Sequence, residues 1–133
     1  MNRYKIRENL FKLLYLKEFH DTEEMKQQTE LFFDREEFEE TLKEDINLIT
    51  DRYNSVVEVI SQIDDLINDI ANGWTTDRIG KVELSILRLA VYEIKFDENI
   101  PVGVAINEAV ELAKKYGQDE ASTFINGILA KLV

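Results

Sequence analysis

One stretch leaves this chain few choices. It reads Ile86-Leu87-Arg88-Leu89-Ala90-Val91-Tyr92-Glu93, apolar almost all the way round a helical wheel. Around it, only Lys81, Ser85, Arg88 and Lys95 recur at helical spacing as a polar stripe. A helix of this kind has to be enclosed on most sides, so the rest of the chain must supply a bundle around it. Leu87, Ala90, Val91 and Ile94 are its expected core positions.

The neighbours are legible on either side. Val102, Ala105, Ile106, Ala109, Val110, Ala113 and Tyr116 follow the i, i+3, i+4, i+7 pattern of one buried helical face. Pro101 marks that helix's start and Gly117 its end, with Lys114 and Lys115 in the last turn. A final helix, capped by Asp119, carries Ala121, Phe124, Ile125, Ile128, Leu129 and Leu132. Upstream, residues 3–19 and 22–33 read as two helices, the second capped by Asp21 or Thr22 with Glu23 and Glu24 in its first turn. Asp34-Arg35-Glu36-Glu37 resembles a capping box. From there an unbroken run of apolar residues at steps of three and four predicts one long helix to Gly73, with a bend or split near 43–46 as the variant. Trp74, at the junction that follows, reads as a packing anchor. The expectation is an all-α chain of about seven helices in one domain, with subdomains of about 1–72 and 73–133.

Charge narrows the function. The net charge is −11, yet it is unevenly placed. Residues 1–20 carry five basic and two acidic groups, +3. Residues 21–72 carry four and sixteen, −12. Residues 73–133 carry seven and nine, −2. A basic N-terminal helix on an acidic chain directs attention to an anionic partner at that end. The acidic middle reads as a solvated face, since no His, Asn cluster or Gly-bearing loop converges with it. With no cysteine, disulfides and thiolate chemistry are excluded. There is no Gly-rich phosphate loop, no metal-ligand spacing and no nucleophile beside a base, so neither an enzyme nor a cofactor or metal site is expected. No apolar run approaches the length of a membrane span and Met1 opens no signal peptide.

In the first helix Ile6, Leu10, Leu13 and Leu14 make the core face. Tyr4, Phe11 and Tyr15 fall on a second stripe. Arg3 and Arg7 flank that stripe on one side, Lys5 and Lys12 on the other. Basic groups bordering aromatics can hold phosphates while rings stack on bases. Pattern alone favours the plainer reading, in which Phe11 and Tyr15 pack on a neighbouring helix. His20, near the helix end, reads as a capping or surface residue.

The same runs resemble a known family. Ile-Leu-Arg-Leu-Ala-x-Tyr-Glu at 86–93, Pro101, Val-Ala-Ile-Asn-Glu-Ala-Val-Glu-Leu-Ala-Lys at 104–114, Gly117 and Phe-Ile-Asn-Gly-Ile-Leu at 124–129 are similar to the C-terminal half of the NusB family of bacterial transcription antitermination factors. The match is dense from about Trp74 to Leu129, with Arg7-Glu8 and Leu14-Tyr15 as further points. The resemblance implies two helical bundles packed together, in a bacterial cytoplasmic protein. It implies binding to the boxA element of ribosomal RNA leaders with the ribosomal protein NusE, within an antitermination complex on RNA polymerase. The family's arginine-rich N-terminal segment is represented here by Arg3, Lys5 and Arg7. By the same match Tyr15 borders both RNA and NusE, Arg78 and Glu83 border NusE, and Glu120 and Phe124 border RNA. Asn107, Glu108, Asn126 and Gly127 match as structural residues, through buried amides and small packing positions. The alternative is a helical module that binds only protein, NusE or a second copy of itself, with RNA contact weak or lost.

Overall fold

Every regular element is helical. The protein, described over residues 1–133 by a computed structural model, contains seven α-helices and no strand. They are α1 (Arg3–Lys17), α2 (Thr22–Phe33), α3 (Lys43–Glu58), α4 (Ile60–Ile70), α5 (Lys81–Phe96), α6 (Val102–Tyr116) and α7 (Ala121–Leu129). None is long and apolar enough to cross a membrane. Two compact units divide the chain, Met1–Val57 and Glu58–Val133. The division precedes the expected one near residue 72, so α4 groups with the helices that follow it.

In the first unit α1 packs against α2. Asn2 caps α1 by accepting from the Lys5 amide at 2.8 Å. Asp21 and Glu24 close a capping box on α2, the Asp21 side chain taking the Glu24 amide and Glu24 the Asp21 amide. The single long helix expected after it does not form. Asp34 instead ends α2, and a 3-10 turn at Glu36–Phe38 swings the Phe38 ring onto Phe32 and Phe33, at 5.3 and 5.1 Å between centroids. Burying that ring takes precedence over continuing the helix. Arg35 covers the cluster, its guanidinium 4.3 Å above Phe32. A second break falls at Val59 (φ −112°, ψ 17°), between α3 and α4. No proline or glycine marks it, but Val56, Val57, Val59 and Ile60 are all β-branched and crowd a helical backbone.

In the second unit α5 packs against α4, α6 and α7, and α6 packs against α7. Residues Leu84 to Val91 are buried without interruption. The stripe expected to be polar is therefore internal at two positions. Ser85 is fully buried and donates to the Lys81 carbonyl, and Arg88 is buried in a bidentate pair with Asp64 of α4, both bonds 2.9 Å. Ile94, one turn further, is only half-buried, unlike its expected core partners. On α6 the buried face is Ala105, Ala109, Leu112 and Ala113, and its three alanines let neighbouring helices approach closely. Lys95 and Lys131 donate to the carbonyls of Leu132 and Ile70, tying down the last turn.

Three further expectations are corrected. Ala71, not Gly73, caps α4, and both Asn72 (φ 45°) and Gly73 (φ 87°) are left-handed in the turn beyond it. Glu120 rather than Asp119 precedes α7, with φ 71°. Asn107, Asn126 and Gly127 are exposed, and a Cβ built on Gly127 would meet nothing within 4 Å. Buried amides and tight packing therefore do not account for those residues.

Candidate nucleic-acid and partner interface

The basic residues of α1 divide by what they already touch. Arg3 is exposed in the first turn and makes no ion pair. Lys5 is different: its ammonium lies 3.2 Å from Glu8 Oε1, and Glu8 is only 2% exposed. The Tyr4 hydroxyl donates to the other carboxylate oxygen at 3.2 Å. A buried carboxylate needs such partners, so the Lys5 charge is engaged in holding Glu8. Arg7 is half-buried and has contacts of its own. Of the aromatic stripe, Phe11 is buried in the core, as the plainer reading required. Tyr4 and Tyr15 are half-buried, and Tyr15 meets Phe19 edge to face at 5.1 Å. Sequence gave no sign that Glu8 is internal, because a single acid one turn from two bases looks like a surface pair.

The remaining candidates belong to the second unit. Glu83 stands half-buried in the first turn of α5, where a carboxylate suits the positive helix end. Its Oε2 lies where a Cβ on Gly80 would come within 2.7 Å, so the carboxylate folds back over the residue that caps the helix. Glu120 is exposed at the entry to α7. Phe124 and Arg78 are joined through a residue the sequence had placed in packing. Trp74 is 47% exposed, its ring meets Phe124 edge to face at 5.9 Å, and the Arg78 guanidinium lies 6.0 Å from its centroid. In the same connection the Thr75 hydroxyl donates to Asp77, which is the first cause holding that carboxyl below its ordinary value.

A separate open cavity of about 590 Å³ lies within the first unit, lined among others by Lys17, His20, Met25, Phe33, Tyr53 and Asn54. Burial pushes the Tyr53 hydroxyl up to about 12. No pair of titratable groups there is arranged as nucleophile and base.

Against this geometry the comparisons can be set. Residues 4–133 match the NusB family. Transcription antitermination protein NusB of Agathobacter rectalis is 50% identical over 131 residues, which is 98% of each chain. Among solved structures, T. maritima NusB is similar with a TM-score of 0.83 at 32% identity, over 99% of this chain and 90% of that one. A structure of antitermination factors NusB and NusE in complex with dsRNA is similar with a TM-score of 0.79 at 26% identity, over 99% and 97%.

Proposed function

The chain belongs to the NusB family, and on that premise we propose that it is a transcription antitermination factor that binds RNA together with NusE. The family is one of factors rather than enzymes. The observation that carries the reading is the match over residues 4–133, with an N-terminal helix whose exposed Arg3 has no internal partner. The RNA is the boxA element of ribosomal RNA leaders, in a bacterial cytoplasm, and the assembly is the antitermination complex on RNA polymerase. Arg3, Arg7 and Tyr15 of the first unit, and Glu120 and Phe124 of the second, are the RNA-contacting residues of this reading. Lys5 contributes through its hold on Glu8 as much as through phosphate. Tyr15 of the first unit, and Arg78 and Glu83 of the second, are the reading's NusE-contacting residues.

The test is a salt series with labelled boxA RNA, with and without NusE. Two or three phosphate contacts give a slope of about −1 to −2 in log affinity against log salt for a single strand. Arg3→Gln is expected to weaken binding and flatten the slope by about 0.7, one contact. An unchanged slope removes Arg3 from the RNA site. Glu83→Lys is expected to lower NusE affinity with the helical signal intact, and unchanged calorimetry removes Glu83. Lys5's engagement with Glu8 and the net charge of −11 favour one competing reading, a module that binds NusE or itself and leaves RNA alone. NusE binding with no RNA binding at any salt would establish it.

A further inference from the structure

We propose that Trp74 is a stacking platform for an unpaired base of single-stranded RNA, with Arg78 turned to the adjoining phosphate rather than to NusE. The proposal rests on the RNA-binding reading above and adds to it a residue that the family match did not single out.

An indole left 47% exposed is unusual for the largest apolar side chain in the chain. Its position is nevertheless fixed. The left-handed pair Asn72 and Gly73 reverses the chain, and the Trp74 amide donates to the Ala71 carbonyl at 3.1 Å. Beyond it, the Thr76 amide donates to Asn68 Oδ1 at 2.9 Å. The Arg78 and Ile79 amides both return to the Thr75 carbonyl, and Ile79 is buried beneath. Phe124 braces the ring from α7 at 80° to its plane. The indole is thus held out on a pinned connection, which lowers the entropy lost when something stacks on it.

The chemistry beside it favours a nucleotide. At 6.0 Å the Arg78 guanidinium stands at the limit of cation–π range and forms no direct salt bridge, so its donors can reach a phosphate. The nearest acid in sequence, Asp77, is held chiefly by the Thr75 hydroxyl, with the Arg78 charge a lesser influence on it. On α7, Gly127 sits one turn beyond Phe124 on the same face and leaves open space there. An exposed ring beside a cation that forms no direct salt bridge is the arrangement that takes bases irrespective of sequence. A protein partner would be expected to meet a broader apolar patch around the ring.

The chain has one tryptophan, so its emission reports this position alone. The whole protein is titrated with an end-labelled single-stranded RNA, with NusE present and absent. Label anisotropy and tryptophan emission are read together. Quenching that saturates with the anisotropy supports the proposal, as does the absence of quenching by an abasic strand of equal length. Trp74→Ala is expected to weaken binding roughly tenfold, while Trp74→Phe, which keeps a ring, stays within about threefold. Circular dichroism of both variants guards against misfolding. Binding with unchanged emission and an unaffected Trp74→Ala overturns the proposal, as does equal quenching by the abasic strand. If NusE alone quenches, and Trp74→Ala lowers only NusE affinity, the surface belongs to the protein partner and the proposal fails. No anisotropy change under any condition removes the RNA-binding reading itself, and this inference with it.

Discussion

Lys5 answers to two demands with one ammonium. It is 55% exposed and available to phosphate, yet it neutralises a carboxylate that is almost wholly enclosed. Removing it should therefore affect folding as well as binding. Lys5→Met is expected to cost about 1 kcal/mol in urea denaturation, less than the roughly 1.5–3 kcal/mol of a charge-assisted hydrogen bond because the ammonium is largely in water. Lys5→Met combined with Glu8→Gln should recover part of that loss. If Lys5→Met is as stable as the parent, Glu8 is held by its other partners. Tyr53 gives a second prediction at this scale. Its folded-state value of about 12 lies above the ordinary 10.0 because burial penalises the phenolate. The unfolded chain therefore gives up the proton first. The stabilising contribution is complete below about pH 10 and is lost as pH rises toward 12. Tyr53→Phe should lack this loss, so the stability gap between variant and parent should shift by about 2 kcal/mol across that window. A constant gap would show that Tyr53 ionises freely in the fold.

At the scale of elements, α4 and α5 are joined by Arg88 and Asp64. Truncating one member of such a pair leaves the other charge uncompensated, and Arg88→Ala is expected to cost about 3 kcal/mol. Arg88→Lys should restore less than half, since an ammonium cannot reproduce the two-bond fork. The glycine that ends α6 and the one inside α7 should respond in opposite directions. A Cβ on Gly117 would lie 2.5 Å from Ala121 Cβ and 2.8 Å from the Ala113 carbonyl, so Gly117→Ala should destabilise by about 1–3 kcal/mol. Gly127 has open space, and Gly127→Ala should stabilise by about 0.5–1 kcal/mol. Thermal melts of the two variants decide both. These helices also show what sequence could reveal. Those bounded by Pro101 and Gly117 were legible because backbone chemistry sets such ends locally. The break at 39–42 was foreshadowed only as a bend or split near 43–46, and the one at Val59 not at all, because an inward-turning Phe38 and a crowd of β-branched residues act through packing. The same holds for the candidate site. The basic character of α1 was plain, whereas the burial of Glu8 and the exposure of Trp74 depend on which neighbours the fold brings.

For the molecule as a whole, a net charge of −11 opposes the approach of a polyanion. The screening length shrinks from roughly 30 Å at 0.01 M salt to about 8 Å at 0.15 M. The association rate with RNA should therefore rise over that range in stopped-flow, even while dissociation accelerates and affinity falls. A falling association rate would mean that the basic end of α1 governs the encounter. The turn after α4 bears on charge over a longer time. Asn72 and Gly73 are both exposed and left-handed, and the Gly73 amide makes no backbone hydrogen bond. That nitrogen can attack the Asn72 side-chain carbonyl, expel ammonia and form a cyclic imide, which water opens to aspartate or isoaspartate. Each event replaces a neutral amide with a carboxylate two residues before Trp74. The same dipeptide at Asn126 and Gly127 is held within α7, where the backbone cannot fold into the imide. Stored protein should accordingly acquire a more acidic form on anion exchange. Peptide mapping should assign the change to Asn72, and the aged fraction should bind RNA less tightly than the fresh one.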